Sequence, residues 1–142
     1  MRDEQGNVIY ALGKEITHGT NNEAEAVAIL EAMRYCVDNR LANVMLQTYS
    51  MLMKNVLERK WGDPWNINEY VEEIKTLMEE CNVRVSHILR EGNNLEDYIA
   101  NCALDSGDFE AQGFAQLDSN SRRIVNSDKS QCSYLRVKAA KN

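Results

Sequence analysis

The order in which short β-favouring runs alternate with segments of helical period constrains the fold of this chain most. Each run has strand length, and each is followed by apolar residues at helical spacing. The runs are residues 8–12, 44–48 and 83–88, and the helical stretches begin near residues 23, 52, 67 and 95. A break around Pro64 separates the second helix from the third. The predicted order β-α-β-α-α-β-α is typical of an α/β fold, a mixed or parallel sheet flanked by helices.

Size, charge and cysteine content narrow the class of protein. A chain of 142 residues suits one domain and can bury about 68% of its unfolded surface. The net charge of −6 opposes a surface that grips polyphosphate through uniform positive charge. No apolar signal region opens the chain, and no run approaches the ~18 apolar residues of a membrane span, so we expect no membrane contact. Four widely spaced cysteines without a C-x-x-C pair favour a reduced compartment, cytoplasmic or nuclear.

The composition changes after Leu104. Residues 1–104 hold 10 Lys and Arg against 17 Asp and Glu, a net charge of −7, whereas residues 105–142 hold 6 against 5, a net charge of +1. We therefore divide the chain into a domain over 1–104 and a basic C-terminal extension over 105–142. Weak strand patterns in the extension lie at residues 113–117, 123–125 and 134–137, so the extension is a candidate strand former.

Three segments together carry a family resemblance. They read TNNEAE at residues 20–25, VMLQTYS at 44–50 and HILREGNNLED at 87–97. With these segments in this order, residues 1–104 resemble the ribonuclease H type 1 family. The resemblance is strongest to its plant reverse-transcriptase-like branch, whose members often derive from retroelements. It implies an RNase H-like mixed sheet flanked by helices.

The resemblance also implies a chemistry. In that family, four carboxylates hold two Mg²⁺ ions, which activate water and stabilise the leaving oxygen when the RNA strand of an RNA–DNA hybrid is cut. By motif matching, Glu25 corresponds to the helix glutamate and Asp97 to the last aspartate. His87 resembles the histidine that aids product release or proton transfer.

Two departures from the family pattern remove ligands. Tyr49 stands where the T-D-S motif has its aspartate, and a phenol, with a reference pKa of about 10, is neutral at pH 7 and a poor Mg²⁺ ligand. The chain begins with Met1-Arg2-Asp3 at the turn that follows the family's second strand. The resemblance therefore implies a fold that lacks the family's first two strands, including the strand that carries another aspartate.

With two of four ligands left, we expect a catalytically inactive RNase H-like domain of retroelement origin. It would act through protein–protein contacts or weak nucleic-acid binding, or as a dimerising scaffold. No catalytic residue, cofactor or metal is expected, and Glu25 and Asp97 stay as residual metal candidates. The alternative is an active Mg²⁺-dependent endonuclease for RNA–DNA hybrids, completed by another chain or by an upstream segment.

Each candidate residue also has a structural interpretation. Glu25 lies three residues after Asn22, and Asp97 three after Asn94, so either acid could serve in a capping box or beside a helix dipole. His87 between a strand and a turn is more typical of a histidine bonded to backbone than of a catalytic group.

Weak nucleic-acid binding has its own candidates, Asn21, Asn22, Arg122 and Arg123. The asparagines also suit a helix start, and the arginines also suit a solvated face. Trp61 and Trp65 could stack on bases or anchor the connection between two helices against the core.

Loss of two strands would leave unpaired sheet edges. Either the strand-like extension after Gly113 or a second copy of the chain could cover them. We expect a homodimer formed by strand complementation.

Overall fold

Four short strands alternate with helices in the computed structural model, which describes residues 1–16, 19–89 and 94–128. The elements are β1 (Ala11–Gly13), α1 (Asn21–Asp38), β2 (Met45–Thr48), α2 (Met51–Leu57), α3 (Asn68–Cys81), β3 (Arg84–His87), α4 (Asn94–Ser106), β4 (Phe109–Ala111), a 3₁₀ turn (Phe114–Gln116) and α5 (residues 119–128). The predicted α/β class is confirmed, and so is the element order up to α4. No helix in the described ranges is long and apolar enough to cross a membrane.

The chain divides into two compact units. Ile16–Leu89 form a continuous unit, whereas Met1–Glu15 and Arg90–Asn142 supply a discontinuous unit. β2 and β3 lie in the first unit, and β1 and β4 lie in the second.

Helix α1 begins with a capping box in the continuous unit. Thr20, in extended conformation, accepts a hydrogen bond from the Glu23 amide, and the Glu23 carboxylate accepts one from the Thr20 amide. This reciprocal pair satisfies two backbone donors that a helix start leaves unpaired. The apolar face of the helix is buried and packs on α3, whose Val71 and Ile74 are fully buried.

The connection between α2 and α3 is tied down by an ion pair. Lys75 Nζ lies 2.9 Å from Asp63 Oδ1, and both side chains are largely buried. Desolvation is the largest single influence on the Asp63 pKa and raises it, but the hydrogen bond and charge of Lys75, together with smaller contributions from its neighbours, lower the pKa overall. Trp61 and Trp65 are 52% and 92% exposed. Anchoring of this connection against the core by Trp65, one of the two interpretations above, is therefore wrong. Ile67, which is fully buried, occupies the core there.

The discontinuous unit joins the two ends of the described chain. β1 pairs antiparallel with β4, with Ala11 opposite Ala111 and Gly13 opposite Phe109. The core beneath them combines residues from both segments. Its buried members are Val8, Ala11, Leu95, Ile99, Ala111, Leu117 and Val125. Residues beyond 104 thus supply a strand and part of a core.

Two of the three strand predictions in the extension are wrong. Residues 113–117 contain a 3₁₀ turn instead of a strand. Residues 123–125 lie inside α5, because Asp118 caps that helix: its Oδ1 accepts from the Ser121 amide at 2.6 Å and its carbonyl from the Arg122 amide at 3.0 Å. The third pattern, 134–137, falls outside the described residues. The strand that forms is β4.

Candidate functional site: the carboxyl end of the parallel strand pair

Strands β2 and β3 run parallel and end side by side. Their register places Thr48 opposite His87, so both strands deliver their last residues to the same end of the sheet. Thr48 is buried, with 2% of its surface exposed. Polar groups that follow β2 therefore meet groups that follow β3.

Glu25 reaches this end of the sheet from α1. Its Oε1 accepts a hydrogen bond from the Thr48 hydroxyl at 2.7 Å, and the same hydroxyl oxygen accepts from the Ser50 amide at 3.0 Å. A hydroxyl can donate one hydrogen bond and accept two, so Thr48 bridges helix and strand end with its one donor and one of its acceptor sites.

The capping role predicted for Glu25 with Asn22 is wrong. Thr20 is the N-cap and Glu23 completes its box, so Asn21 and Asn22 are the first two helical residues. Glu25 lies beyond the first turn, where its side chain is available to Thr48.

The His87 ring forms a hydrogen bond with the backbone of Tyr49. His87 Nε2 lies 3.0 Å from the Tyr49 carbonyl oxygen. A carbonyl only accepts, so Nε2 must carry the proton, and Nδ1 is the nitrogen that accepts when the ring is neutral. The side chain of Tyr49 is 38% exposed.

Asp97 lies in the first turn of α4, as the dipole interpretation expects, and belongs to the discontinuous unit. Asn94, its predicted cap, is the first residue of that helix. The structure thus brings together Glu25, Tyr49 and His87 within the continuous unit, whereas Asp97 is part of the other unit. Residues 90–93 of the motif lie outside the described residues.

The nucleic-acid candidates divide in the same way. Asn21 and Asn22 are exposed at the start of α1 in the continuous unit. Arg122 and Arg123 lie on α5 in the discontinuous unit, where Arg123 donates to the Asn120 side chain at 3.1 Å. No group of three or more His, Cys, Asp and Glu side chains that could hold a metal ion occurs in residues 1–16, 19–89 and 94–128.

Two residues of the site were missed in the sequence. Thr48 and Ser50 bracket Tyr49, and Ser50 is also the N-cap of α2, accepting from the Met53 amide at 3.2 Å. The signal was present, since hydroxyl residues two apart between a strand and a helix are typical of capping and turn hydrogen bonds.

Comparison with known proteins identifies the class. The crystal structure of RNase H1 from the halophilic archaeon Halobacterium salinarum NRC-1 is similar, with a TM-score of 0.61 and 26% sequence identity over 65% of this chain and 71% of that chain. The fold is thus that of an RNase H-like domain. The model of the reverse transcriptase-like family matches residues 1–103, and the chain belongs to that family. Among curated proteins, none matches this chain.

Proposed function

We propose that this RNase H-like domain does not cleave RNA–DNA hybrids and acts instead through protein contacts, including contacts with a second copy, with weak nucleic-acid binding at most. The observation that carries the proposal is the residue set at the end of β2. Tyr49 occupies the position next to Thr48, and the neighbouring carboxylate, Glu25, already accepts the Thr48 hydroxyl.

The oxygen donors at this end of the sheet do not fit a pair of Mg²⁺ ions. Within the continuous unit, the described contacts bring one carboxylate there, together with a hydroxyl that is used twice and a carbonyl that already accepts from His87. Mg²⁺ dehydrates reluctantly and is bound through carboxylates and substrate phosphates. Each 1.36 kcal/mol of lost transition-state stabilisation slows a reaction about tenfold, so loss of the metal ligand at position 49 would slow cleavage strongly.

The proposal includes a retroelement origin and a reduced cellular compartment. Likeness to the plant reverse-transcriptase-like branch supports a domain derived from a retroelement, which kept its fold and changed a ligand position. Cys36, Cys81 and Cys102 are free thiols, which supports a reduced compartment, cytoplasmic or nuclear.

Protein contact is favoured over nucleic-acid contact by charge and exposure. The net charge of −6 repels a polyanion. Exposed apolar side chains in the continuous unit include Trp61, Trp65, Met45 and Met51. Such side chains are typical of contact surfaces when they group together.

A cleavage assay tests the proposal. A labelled RNA–DNA hybrid is incubated with the protein and Mg²⁺ or Mn²⁺, with the Halobacterium salinarum RNase H1 as positive control and Asp97→Asn as matched variant. We expect no turnover above background. Turnover that disappears in Asp97→Asn would overturn the proposal in favour of an active hybrid endonuclease completed by another chain or segment.

A gain-of-ligand variant tests the role of Tyr49. In Tyr49→Asp, a second carboxylate enters the strand end beside Glu25, and we expect saturable Mn²⁺ binding, detected by paramagnetic broadening of nearby resonances. Tyr49→Asn has the same shape without the charge and is expected to behave as the unmodified protein. Equal broadening in Tyr49→Asn would show that the phenol does not decide metal binding here.

A further inference from the structure

We infer that the open edge of β2 is a self-association surface, at which the β2 strands of two copies pair antiparallel about a twofold axis. This deepens the protein-contact part of the proposed function and rests on it. The occupant is a second copy of this chain, and the surface is the edge of residues 45–48.

The sheet in the continuous unit is small and exposed. β2 and β3 form a two-stranded parallel pair, whereas parallel sheets are normally larger and covered on both faces. Met45 is 48% exposed, and Gln47 and Arg84 are exposed as well. A two-stranded parallel sheet with this exposure leaves room for a further strand beside β2.

The ladder shows which backbone groups face that missing neighbour. The Arg84 amide donates to the Val44 carbonyl and the Ile88 amide to the Thr48 carbonyl, both at 3.0 Å. Backbone polar groups alternate between the two sides of a strand, so those of Met45 and Gln47 point away from β3. Within the described ranges, no strand pairs with this side of β2.

The open edge carries none of the charges that keep edges apart. Residues 41–53 contain no charged side chain, although 27% of the chain is charged. Lysine, proline or a bulge normally protects an exposed edge, and the single proline of the chain is Pro64. Tyr49 and Met51, which follow the strand, are 38% and 48% exposed, so apolar surface continues beyond the edge.

Charge also selects a second copy as the occupant. Two chains of net charge −6 repel each other least where they meet on an uncharged surface, and residues 41–53 provide such a place. The edge is self-complementary: with the axis at Leu46, Met45 lies opposite Gln47 of the partner subunit, and Gln47 opposite the partner's Met45. A twofold axis makes each contact occur twice. The backbone N–H and C=O groups of Met45 and Gln47 would therefore all form hydrogen bonds with the partner strand.

Sedimentation velocity of the full chain over a wide concentration series is the first test. We expect the mass to rise from the 16.2 kDa of one chain to twice that value. Gln47→Lys places two positive charges diagonally across the axis on one face of the sheet, with Cα atoms about 7–8 Å apart, and Gln47→Pro removes an edge donor without touching the ladder to β3. Both variants are expected to stay monomeric. Gln5→Lys, which makes the same charge change in an exposed turn, is expected to dimerise normally.

A cross-link tests the register. Residues paired at the axis without hydrogen bonds have Cα atoms about 4.5 Å apart, within the range of about 4.4–6.8 Å that a disulfide spans. Leu46→Cys is therefore expected to give a covalent dimer with oxidised glutathione, which accepts the two electrons and two protons of the thiols. Met45→Cys, which lies opposite Gln47 of the partner subunit, is expected to cross-link much less, and the unmodified chain controls for native cysteines.

The outcomes separate the two proposals. A monomer at every concentration, or a dimer that survives in both Gln47 variants, would overturn the inference, and in the second case another surface would hold the dimer. Equal cross-linking at positions 45 and 46 would overturn the register. The hybrid-cleavage result is independent: an active dimer would overturn only the proposed function, and an inactive monomer only this inference.

Discussion

Removal of the Thr48 hydroxyl is expected to disconnect α1 from the end of β2. Thr48→Val keeps the shape of the side chain but loses the donor to Glu25 and the acceptor for the Ser50 amide, at 2.7 and 3.0 Å. Because Thr48 is 2% exposed, water does not readily replace the lost bonds.

The size of the effect follows from these two bonds. A hydrogen bond to a charged group contributes about 1.5–3 kcal/mol, and an amide left without an acceptor costs about 1–3 kcal/mol. Since Glu25 is only half-buried and regains hydration, we expect a net loss of about 2.5–3 kcal/mol, at the low end of the summed range. At ~4 °C per kcal/mol for a chain of this size, Tm should fall by about 10 °C.

Urea denaturation measures this loss of stability in four variants: Thr48→Val, Thr48→Ser, Glu25→Gln and the double variant of Glu25→Gln with Thr48→Val. Thr48→Ser keeps the hydroxyl and loses one methyl group, so it should cost only about 1 kcal/mol. Glu25→Gln keeps an acceptor without the charge, and in that background Thr48→Val should cost about 1–2 kcal/mol less than it does alone. The reasoning would be refuted if Thr48→Ser were as destabilising as Thr48→Val, or if the two substitutions were strictly additive.

Two further substitutions probe the discontinuous unit. Asp118→Ala removes the cap of α5 and should cost about 0.5–2 kcal/mol of stability at neutral pH. The Ser121 amide lowers the pKa of Asp118 in the folded protein. The stability contributed by the Asp118 carboxylate is therefore complete above its ordinary pKa of about 3.9 and is lost as the pH falls through the lower pKa of the folded protein. A deficit in urea titrations that is unchanged down to pH 2 would contradict this. Gly13→Ala places a methyl group 3.0 Å from Ile99 Cγ2 and 3.1 Å from the Ile99 carbonyl oxygen and should cost about 1–3 kcal/mol of stability. Gly62→Ala is the control, since no atom lies within 4 Å of the added methyl group, and it should be nearly neutral. Equal unfolding midpoints for the two variants would show that β1 and α4 are less tightly packed than described.

The order of helices and strands could be predicted because it rests on apolar period, which is a property of short windows. The choice of cap could not. Thr20 and Asn22 are both good N-caps, each followed by a glutamate three residues later. The structure selects Thr20, whose backbone is extended, and nothing in the two competing motifs shows which of them will be used. Glu25 was therefore recognisable as a site residue by motif, whereas its bond to Thr48 was not.

The extension shows how local preference is overridden. Residues 123–125 favour a strand by composition, yet they are helical. Ser121 and Val125 are buried four residues apart, and Asp118 caps the turn before them. That spacing was a helical signal in the sequence. β4 gave no comparable signal, because a three-residue strand contains too few positions for a period to show.

The pairing of β1 with β4 has a consequence for synthesis on the ribosome. Ala11 lies opposite Ala111 in the sheet, and Val8 shares a core with Val125, so residues 8–13 cannot complete their packing until residues 109–125 have been made. Ile16–Leu89 contain all the partners of their own sheet and can fold as soon as they emerge. The nascent chain therefore carries an unpaired β1 until β4 has been made, and an interruption before residue 109 would release a folded unit over residues 16–89 with β1 still unpaired.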